Sequence, residues 1–99
     1  MDELFTRFDG VFFEKTRLSL MTMIFREELV AFRRLKESLQ LSDGALYTHL
    51  EKLIEAGYVQ KRKETAGVTA RTVYCLSENG HGEFRKWLDF LRRHIEEGE

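Results

Sequence analysis

The hydrophobic period of the chain changes abruptly at Gly57, and this change limits the folds that the sequence can adopt. Before the glycine, apolar residues recur at the spacing of a helix, namely Leu46, Leu50, Leu53 and Ile54. Ser42 stands where a helix N-cap is expected, and Gly57 ends the pattern. From Tyr58 the period becomes two, with segments 58–65 and 70–76 rich in Val, Thr and Tyr around a turn at 66–69. The sequence therefore predicts a helix followed directly by a β-hairpin.

The rest of the chain is dominated by helical spacing. It predicts a first long helix over about 15–27, a very short strand at Leu29 and Val30, and a second helix over about 31–39. Only Gln40 and Leu41 separate the second helix from the third, so the two form a tight helix-turn-helix. Ser77 caps a final amphipathic helix over about 77–96. We therefore expect one α+β, mainly α domain over 1–99, a winged helix-turn-helix with a three-helix core, a β-hairpin wing and a C-terminal helix.

Length and composition are those of an ordinary soluble domain. The chain has 99 residues, of which 42% are hydrophobic and 33% charged, and it has no apolar run long enough to cross a bilayer. It begins MDELFTRF, without the basic segment of a secretory signal, and its one cysteine, Cys75, cannot form an internal disulfide. We therefore expect a cytoplasmic protein and not a membrane protein.

Positive charge is concentrated in the predicted hairpin. The net charge is only −1, but between Gln60 and Thr72 four basic residues stand against a single acid, Glu64. A helix that fits a DNA groove, followed at once by a basic hairpin that can touch the backbone beside it, is typical of winged DNA-binding domains. The sequence therefore indicates double-stranded DNA as the partner.

Several segments resemble the small winged helix-turn-helix transcriptional regulators. These are LSDGALYTHLEKLIEAGYV with the basic strand behind it, ARTVYCLSENG with the terminal helix, and upstream EKTRLSLMTMI. The similarity covers roughly residues 14–90 and is to the ArsR-like, MarR-like and PadR-like repressors as a superfamily. It implies a homodimeric repressor on a palindromic operator, with the third helix in the major groove and the wing on phosphates or the minor groove. The sequence identifies no effector ligand.

The resemblance also implies two sets of DNA-contacting residues. Those on the third helix are Ser42, Gly44, Ala45, Tyr47, Thr48, His49 and Lys52. Those in the wing are Lys61, Arg62, Lys63, Thr69, Arg71 and Thr72. Asp43 is left out because its charge repels phosphate, and it suits the positive end of the helix instead.

Some of these residues also have structural explanations. Thr48 and Lys52 fit an ordinary solvated helix face, and His49, beside the core stripe, is typical of a partly buried, hydrogen-bonded histidine. The ring of Tyr47 can flank the core while its hydroxyl reaches a phosphate. In the wing, alternation points residues 61 and 63 one way and residue 62 the other, so the three cations cannot hold one backbone. Arg71 fits a minor groove or a plain solubilising charge.

Aromatic residues near both ends of the chain exceed what a small three-helix core requires. We interpret them as a dimer interface built from an N-terminal arm over 1–13 and the last helix. The predicted interface residues are Phe5, Phe8, Phe12, Phe84, Trp87, Phe90 and Leu91.

Other chemistry finds little support in the sequence. One cysteine and three scattered histidines do not make a metal site, so no metal or cofactor is expected. A phosphate-binding glycine loop and a nucleophile with its base are both missing, so an enzyme is not expected. A second hypothesis is a winged helix that binds a protein partner with little DNA affinity, because Asp43, Glu51 and Glu55 lie on or near the reading helix.

Overall fold

The computed structural model describes residues 8–97, which form five helices and three strands. The helices are α1 (Gly10–Phe13), α2 (Lys15–Glu27), α3 (Phe32–Leu39), α4 (Asp43–Glu55) and α5 (Glu78–Glu97). The strands are β1 (Val30–Ala31), β2 (Val59–Ala66) and β3 (Thr69–Leu76). The predicted α+β, mainly helical winged helix-turn-helix fold is confirmed. Of the predicted interface residues, Phe5 lies outside the described range.

Helices α2, α3 and α4 enclose the main core. The predicted stripe of α4 is fully buried at Leu46, Leu50 and Leu53, and the other helices add Leu20, Met21, Ile24 and Leu35. The hydroxyl oxygen of Ser42 accepts a hydrogen bond from the backbone N–H of Ala45 at 3.1 Å, as expected of the N-cap. Gln40 ends α3 in the left-handed conformation, with φ of 53°, which lets two residues redirect the chain into α4.

The three strands form one antiparallel sheet in the order β1–β3–β2. The first strand lies one residue later than predicted, because Leu29 is exposed whereas Val30 is buried opposite Tyr74. Ala31 pairs with Val73 and is the N-cap of α3 rather than its first residue. The small strand thus ties the start of α3 to the hairpin.

The hairpin β2–β3 is the wing. Val59 pairs with Leu76 at its base, and Ala66 pairs with Thr69 at its tip. The turn is therefore the dipeptide 67–68, shorter than the four residues predicted. Gly67 has φ of 65°, the left-handed value that the first turn position of a tight hairpin requires.

The described part of the N-terminal arm, residues 8–13, folds back on the domain through Asp9 and Phe12. Oδ1 of Asp9 caps α1 by accepting from the N–H of Val11, and Oδ2 accepts from the hydroxyl of Tyr58, both at 3.0 Å. Phe12 is 1% exposed, and its ring centroid lies 6.0 Å from that of Tyr58 and 5.8 Å from that of Phe84. Phe12 of the arm is thus part of the core.

The aromatic residues were assigned to a dimer interface because they exceed what a small core requires, and this packing corrects that reason. Phe8, Phe12, Phe84 and Phe90 are buried within one chain, with Phe8 and Phe90 in edge-to-face contact at 5.7 Å. They are not surplus apolar surface, because the folded arm covers α5. In the described part of that set, the partly exposed residues are Trp87 and Leu91.

Helix α5 joins the domain at a closely packed corner. The hydroxyl of Ser77 donates to the carbonyl of Gly57 and accepts from the N–H of Gly80, which makes it the predicted cap. A Cβ on Gly80 would overlap the carbonyl oxygen of Tyr58 and lie 2.8 Å from its carbonyl carbon. Among residues 8–97, none of the helices combines the length and apolar composition that crossing a lipid bilayer requires.

Candidate nucleic-acid interface

Helix α4, called the recognition helix below, exposes most of the residues predicted on it. Ser42, Gly44, Tyr47, Thr48 and Lys52 are exposed, and Ala45 is partly exposed. Thr48 Oγ1 donates to the carbonyl of Gly44 at 2.9 Å, so its oxygen remains able to accept a hydrogen bond from a base. The small residues near the start of the helix leave room for a base edge to approach.

His49 is the exception on this helix. Its Nδ1 lies 3.2 Å from Nη1 of Arg17 and 3.5 Å from Oε1 of Glu14. Burial raises the pKa of Glu14, but hydrogen bonds from the N–H groups of Arg17 and Thr16, together with the charges of His49 and Arg17, outweigh this effect. The pKa of Glu14 is therefore lower than its usual value. The structure thus places His49 against the start of α2, in the partly buried setting of its structural explanation.

The recognition helix and the wing form the walls of a groove of about 510 Å³. It is lined by Phe32, Tyr47, Lys61, Arg62, Lys63, Thr72 and Tyr74. In the strand register, Lys61 lies opposite Tyr74 and Lys63 opposite Thr72, whereas Arg62 lies opposite Val73. Because side chains alternate along a strand, the two lysines leave the sheet on one face and Arg62 on the other.

Lys61 connects the two walls of the groove. Its Nζ donates to Oε2 of Glu51 at 3.1 Å and lies 5.5 Å from the centre of the Tyr47 ring. The hydrogen bond to Glu51 and the charge of that carboxylate raise the pKa of Lys61. The recognition helix and the base of the wing are therefore linked by a charged contact as well as by the shared core.

Carboxylates also hold two other cations on this side of the domain. Lys36 Nζ lies 2.8 Å from Oδ1 of Asp43, and Nη2 of Arg71 lies 2.8 Å from Oε1 of Glu64. Arg71 and Glu64 are directly paired across the wing, on the face that also carries Arg62. In contrast, Lys52, Arg62 and Lys63 make no ion pair with any residue between 8 and 97. Some cations of this surface are thus paired with a carboxylate, and others are not.

The tip of the wing carries a residue to which the sequence analysis gave no role. Val68 is fully exposed, and Thr69 beside it is occupied in closing the turn, with Oγ1 donating to the carbonyl of Ala66 at 2.9 Å. The signal that could have identified Val68 is its place beside Gly67 in a two-residue turn, where a side chain has nothing to pack on.

Within the described chain, no group of three or more histidine, cysteine or acidic residues is arranged to hold a metal ion. The thiol of Cys75 is partly buried on β3 opposite Gln60.

Comparison with known proteins identifies the same kind of domain. Residues 16–95 match a family model described as a winged helix DNA-binding domain. An uncharacterized protein of Methanocaldococcus jannaschii is 30% identical over 78 residues, 79% of this chain and 85% of that one. A transcriptional regulator homologue from Pyrococcus horikoshii has a TM-score of 0.83 at 25% identity, covering 100% of this chain and 99% of its own. PadR of Bacillus subtilis, solved with operator DNA, is 18% identical with a TM-score of 0.59, over 71% of this chain and 44% of that one, a likeness of fold.

Proposed function

Because this chain belongs to the family of winged helix DNA-binding domains, we propose that it is a homodimeric, sequence-specific repressor of transcription. The family makes it a DNA-binding regulator and not an enzyme. The recognition helix enters the major groove, and the wing lies on the backbone or in the adjacent minor groove. We place its action in the cytoplasm. Repression rests on the resemblance to ArsR-like, MarR-like and PadR-like repressors.

The observation that carries the proposal is the groove shared by the recognition helix and the wing. A DNA backbone that follows this groove meets Lys63 of the wing, and Lys52 is exposed on the recognition helix outside the groove lining. The described chain leaves both cations without a carboxylate. Phosphate contacts of this kind position a protein on DNA without reading its sequence. They supply the grip that the slight negative net charge of the whole chain does not.

Reading of the bases falls to the exposed start of the recognition helix. Ser42, Gly44, Ala45 and Thr48 offer hydroxyl groups and small surfaces there, while Tyr47 lies on the groove side. Hydroxyls accept and donate to several base edges, and small apolar groups contact the thymine methyl group. His49 is omitted from this set because it is bonded to α2. In the wing we retain Lys61, Arg62, Lys63, Thr69, Arg71 and Thr72 as backbone or minor-groove contacts.

The homodimer is proposed to form along α5. Trp87, Leu91 and Ile95 follow one another at intervals of four residues and so share a helix face. Ile95 is 65% exposed, and the other two are partly exposed. Two-fold pairing through this face would present two recognition helices to half-sites about 34 Å apart. Sedimentation equilibrium should detect a dimer at micromolar concentration that Ile95→Glu dissociates, and a monomeric wild-type protein would refute this part.

Selection of bound fragments from random duplex DNA tests the proposal as a whole. The expected result is a short palindromic sequence whose affinity falls with salt, with a log-log slope near −0.9 for each neutralised phosphate. The absence of any enriched sequence, together with no binding at low salt, would contradict the proposal.

Removal of the two unpaired lysines, one on the recognition helix and one in the wing, provides the residue-level test. Lys52→Ala with Lys63→Ala should weaken binding to the selected DNA about tenfold and make the salt slope shallower by about 1.8, since two phosphate contacts are lost. Thermal unfolding should change little because both side chains are exposed. Lys86→Ala, on α5 beside Glu83, is the control for loss of an exposed lysine. Normal DNA binding by the double variant would place the interface elsewhere.

A protein-binding winged helix remains the second candidate, and a specific observation favours it. Asp43, Glu51 and Glu64 place carboxylates on the side of the domain that the first proposal turns toward DNA. Such a surface suits a partner with both charges better than it suits a polyanion. Failure to bind any duplex at low salt would favour this function.

A further inference from the structure

Three carboxylates on the proposed DNA-binding side each hold one cation. Asp43 binds Lys36, Glu51 binds Lys61, and Glu64 binds Arg71. Two of the acids belong to the recognition helix and the third to β2. The three acids therefore lie on the two elements that the proposed function brings to DNA, and Lys36 reaches Asp43 from α3.

The pairs are well formed but accessible to solvent. The nitrogen–oxygen distances are 2.8 Å for Lys36–Asp43, 3.1 Å for Lys61–Glu51 and 2.8 Å for Arg71–Glu64. Arg71 directs both Nε and Nη2 at the same oxygen of Glu64, which fixes the guanidinium beside the strand. Pairs of exposed groups contribute little to stability, so their effect on what the cations can bind is the larger one.

A phosphate and a carboxylate compete for the same N–H donors. For Lys61 or Arg71 to bind DNA, the cation must leave its carboxylate, and that carboxylate then stays near the phosphate and repels it. Lys52, Arg62 and Lys63 carry no such cost, since they lack an acidic partner in the described residues. Some cations of the surface can thus bind phosphate directly, whereas others must first release a carboxylate.

We propose that Asp43, Glu51 and Glu64 are specificity-determining residues, which act by keeping their partner cations from binding phosphate indiscriminately. This inference rests on the proposed DNA-binding function. Non-specific binding depends on phosphate contacts alone and occurs in every orientation that provides enough of them. The three acids reduce the number of such orientations. The specific complex has one orientation, fixed by base contacts, so it depends less on how many cations are available.

Removal of the two acids that hold wing cations tests this proposal. Glu51→Gln with Glu64→Gln, called the groove variant below, changes the net charge by two. It frees Lys61 on the groove face of the wing and Arg71 on the opposite face. The expected result is about a tenfold rise in affinity for random duplex DNA at 0.1 M salt, with a slope steeper by about 1.8, and a smaller rise for the selected DNA. Asp43→Asn is measured separately, because Asp43 also lies in the first turn of its helix.

The control is a variant with the same change of charge far from the groove. Glu83→Gln with Asp89→Asn alters two acids of α5, one of which pairs with Lys86, and should raise random-DNA affinity by less than threefold. An equal rise in the control and the groove variant would overturn the proposal, because overall charge would then explain the effect. An unchanged affinity in the groove variant would overturn it as well.

The outcomes also separate this inference from the function on which it rests. If the wild-type protein binds selected DNA and the groove variant binds random DNA no better, the regulator stands and the role of the acids fails. If the wild-type protein binds no DNA but the groove variant does, the acids suppress DNA binding as proposed and the regulator fails. If neither protein binds DNA at low salt, both proposals fail.

Discussion

The base of the wing is packed into the helical body, whereas its tip stands in solvent. At the base, Val59 and Tyr74 are buried among the core residues, and Tyr58 just before β2 is bonded to the arm. At the tip, the side chain of Val68 is fully exposed to solvent. One pair of strands thus passes from the buried core to solvent within eight residues.

This difference separates two kinds of substitution. The packed base fixes the direction in which the wing leaves the domain, so changes there should alter the free energy of unfolding. The tip contributes little packing, so changes there should alter contacts with a partner and leave stability nearly intact. Four substitutions test this division, from the base to the tip.

Gly80→Ala should have the largest effect. The added Cβ would overlap the carbonyl group of Tyr58, so α5 must move away from the start of β2. We expect a loss of about 3 kcal/mol in the free energy of unfolding, measured by urea denaturation. Gly82→Ala is the matched control, because its Cβ would meet nothing within 4 Å and alanine favours a helix by about 0.5–1 kcal/mol. Equal stabilities of the two variants would mean that the corner can yield.

Tyr58→Phe should cost less and should also change the pH dependence. It removes the hydrogen bond to the Asp9 carboxylate, for an expected loss of about 1–2 kcal/mol at neutral pH. Burial, with the hydrogen bond to Asp9, raises the pKa of Tyr58 from 10.0 to about 12. The raised pKa stabilises the fold fully below about pH 10, and this stabilisation is lost as the pH rises toward about 12.

The stability difference between wild type and Tyr58→Phe should therefore shrink over that range of pH. Urea denaturation at several pH values measures it. Tyr47→Phe, at an exposed ring, is the control for loss of a hydroxyl and should leave stability unchanged within about 0.5 kcal/mol. A constant difference between wild type and Tyr58→Phe up to pH 12 would contradict the role given to the buried phenol.

Gly67→Ala moves the test to the tip. The position has space for a side chain but requires φ of 65°, so the cost is backbone strain of about 1 kcal/mol without a clash. Gly67→Asn should recover part of this loss, since asparagine tolerates positive φ better than alanine does. A loss as large as that of Gly80→Ala would show that the tip is not independent of the core.

Val68→Ala should have the smallest effect. Because the side chain is fully exposed, the free energy of unfolding should stay within about 0.5 kcal/mol of the wild-type value. Thermal denaturation checks this. Destabilisation by more than about 1 kcal/mol would mean that the tip packs on something in solution, and the division between base and tip would fail.

The helices and the wing could be predicted because each produces a local pattern of residues in the sequence. The stripe at Leu46, Leu50 and Leu53 follows from helical spacing, and the Ser42 cap follows from its own side chain. The burial of Phe12 could not be predicted in this way, because its partners come from the hairpin and α5. In the sequence, aromatic residues that fill a core cannot be distinguished from aromatic residues that form an interface with a partner chain.

The pairing of the cations was also missed, for two different reasons. The contact of Arg71 with Glu64 follows directly from the strand register, because the predicted segments 58–65 and 70–76 already place Glu64 opposite Arg71, but no cross-strand pairs were predicted. The contact of Lys61 with Glu51 depends on the angle between the hairpin and the recognition helix. That angle is set by core packing, which no local sequence pattern predicts. The candidate cations were thus predicted, and their availability was not.

Trp87 gives the molecule an optical probe of its own architecture. It is the one tryptophan of the chain, and its ring lies 6.0 Å from that of Phe12 and 5.8 Å from that of Phe13. Indole fluorescence moves to longer wavelength when the ring becomes hydrated. Detachment of the arm from α5 should therefore redden the emission before the helices unfold, so the order of the two events can be followed in the unlabelled protein.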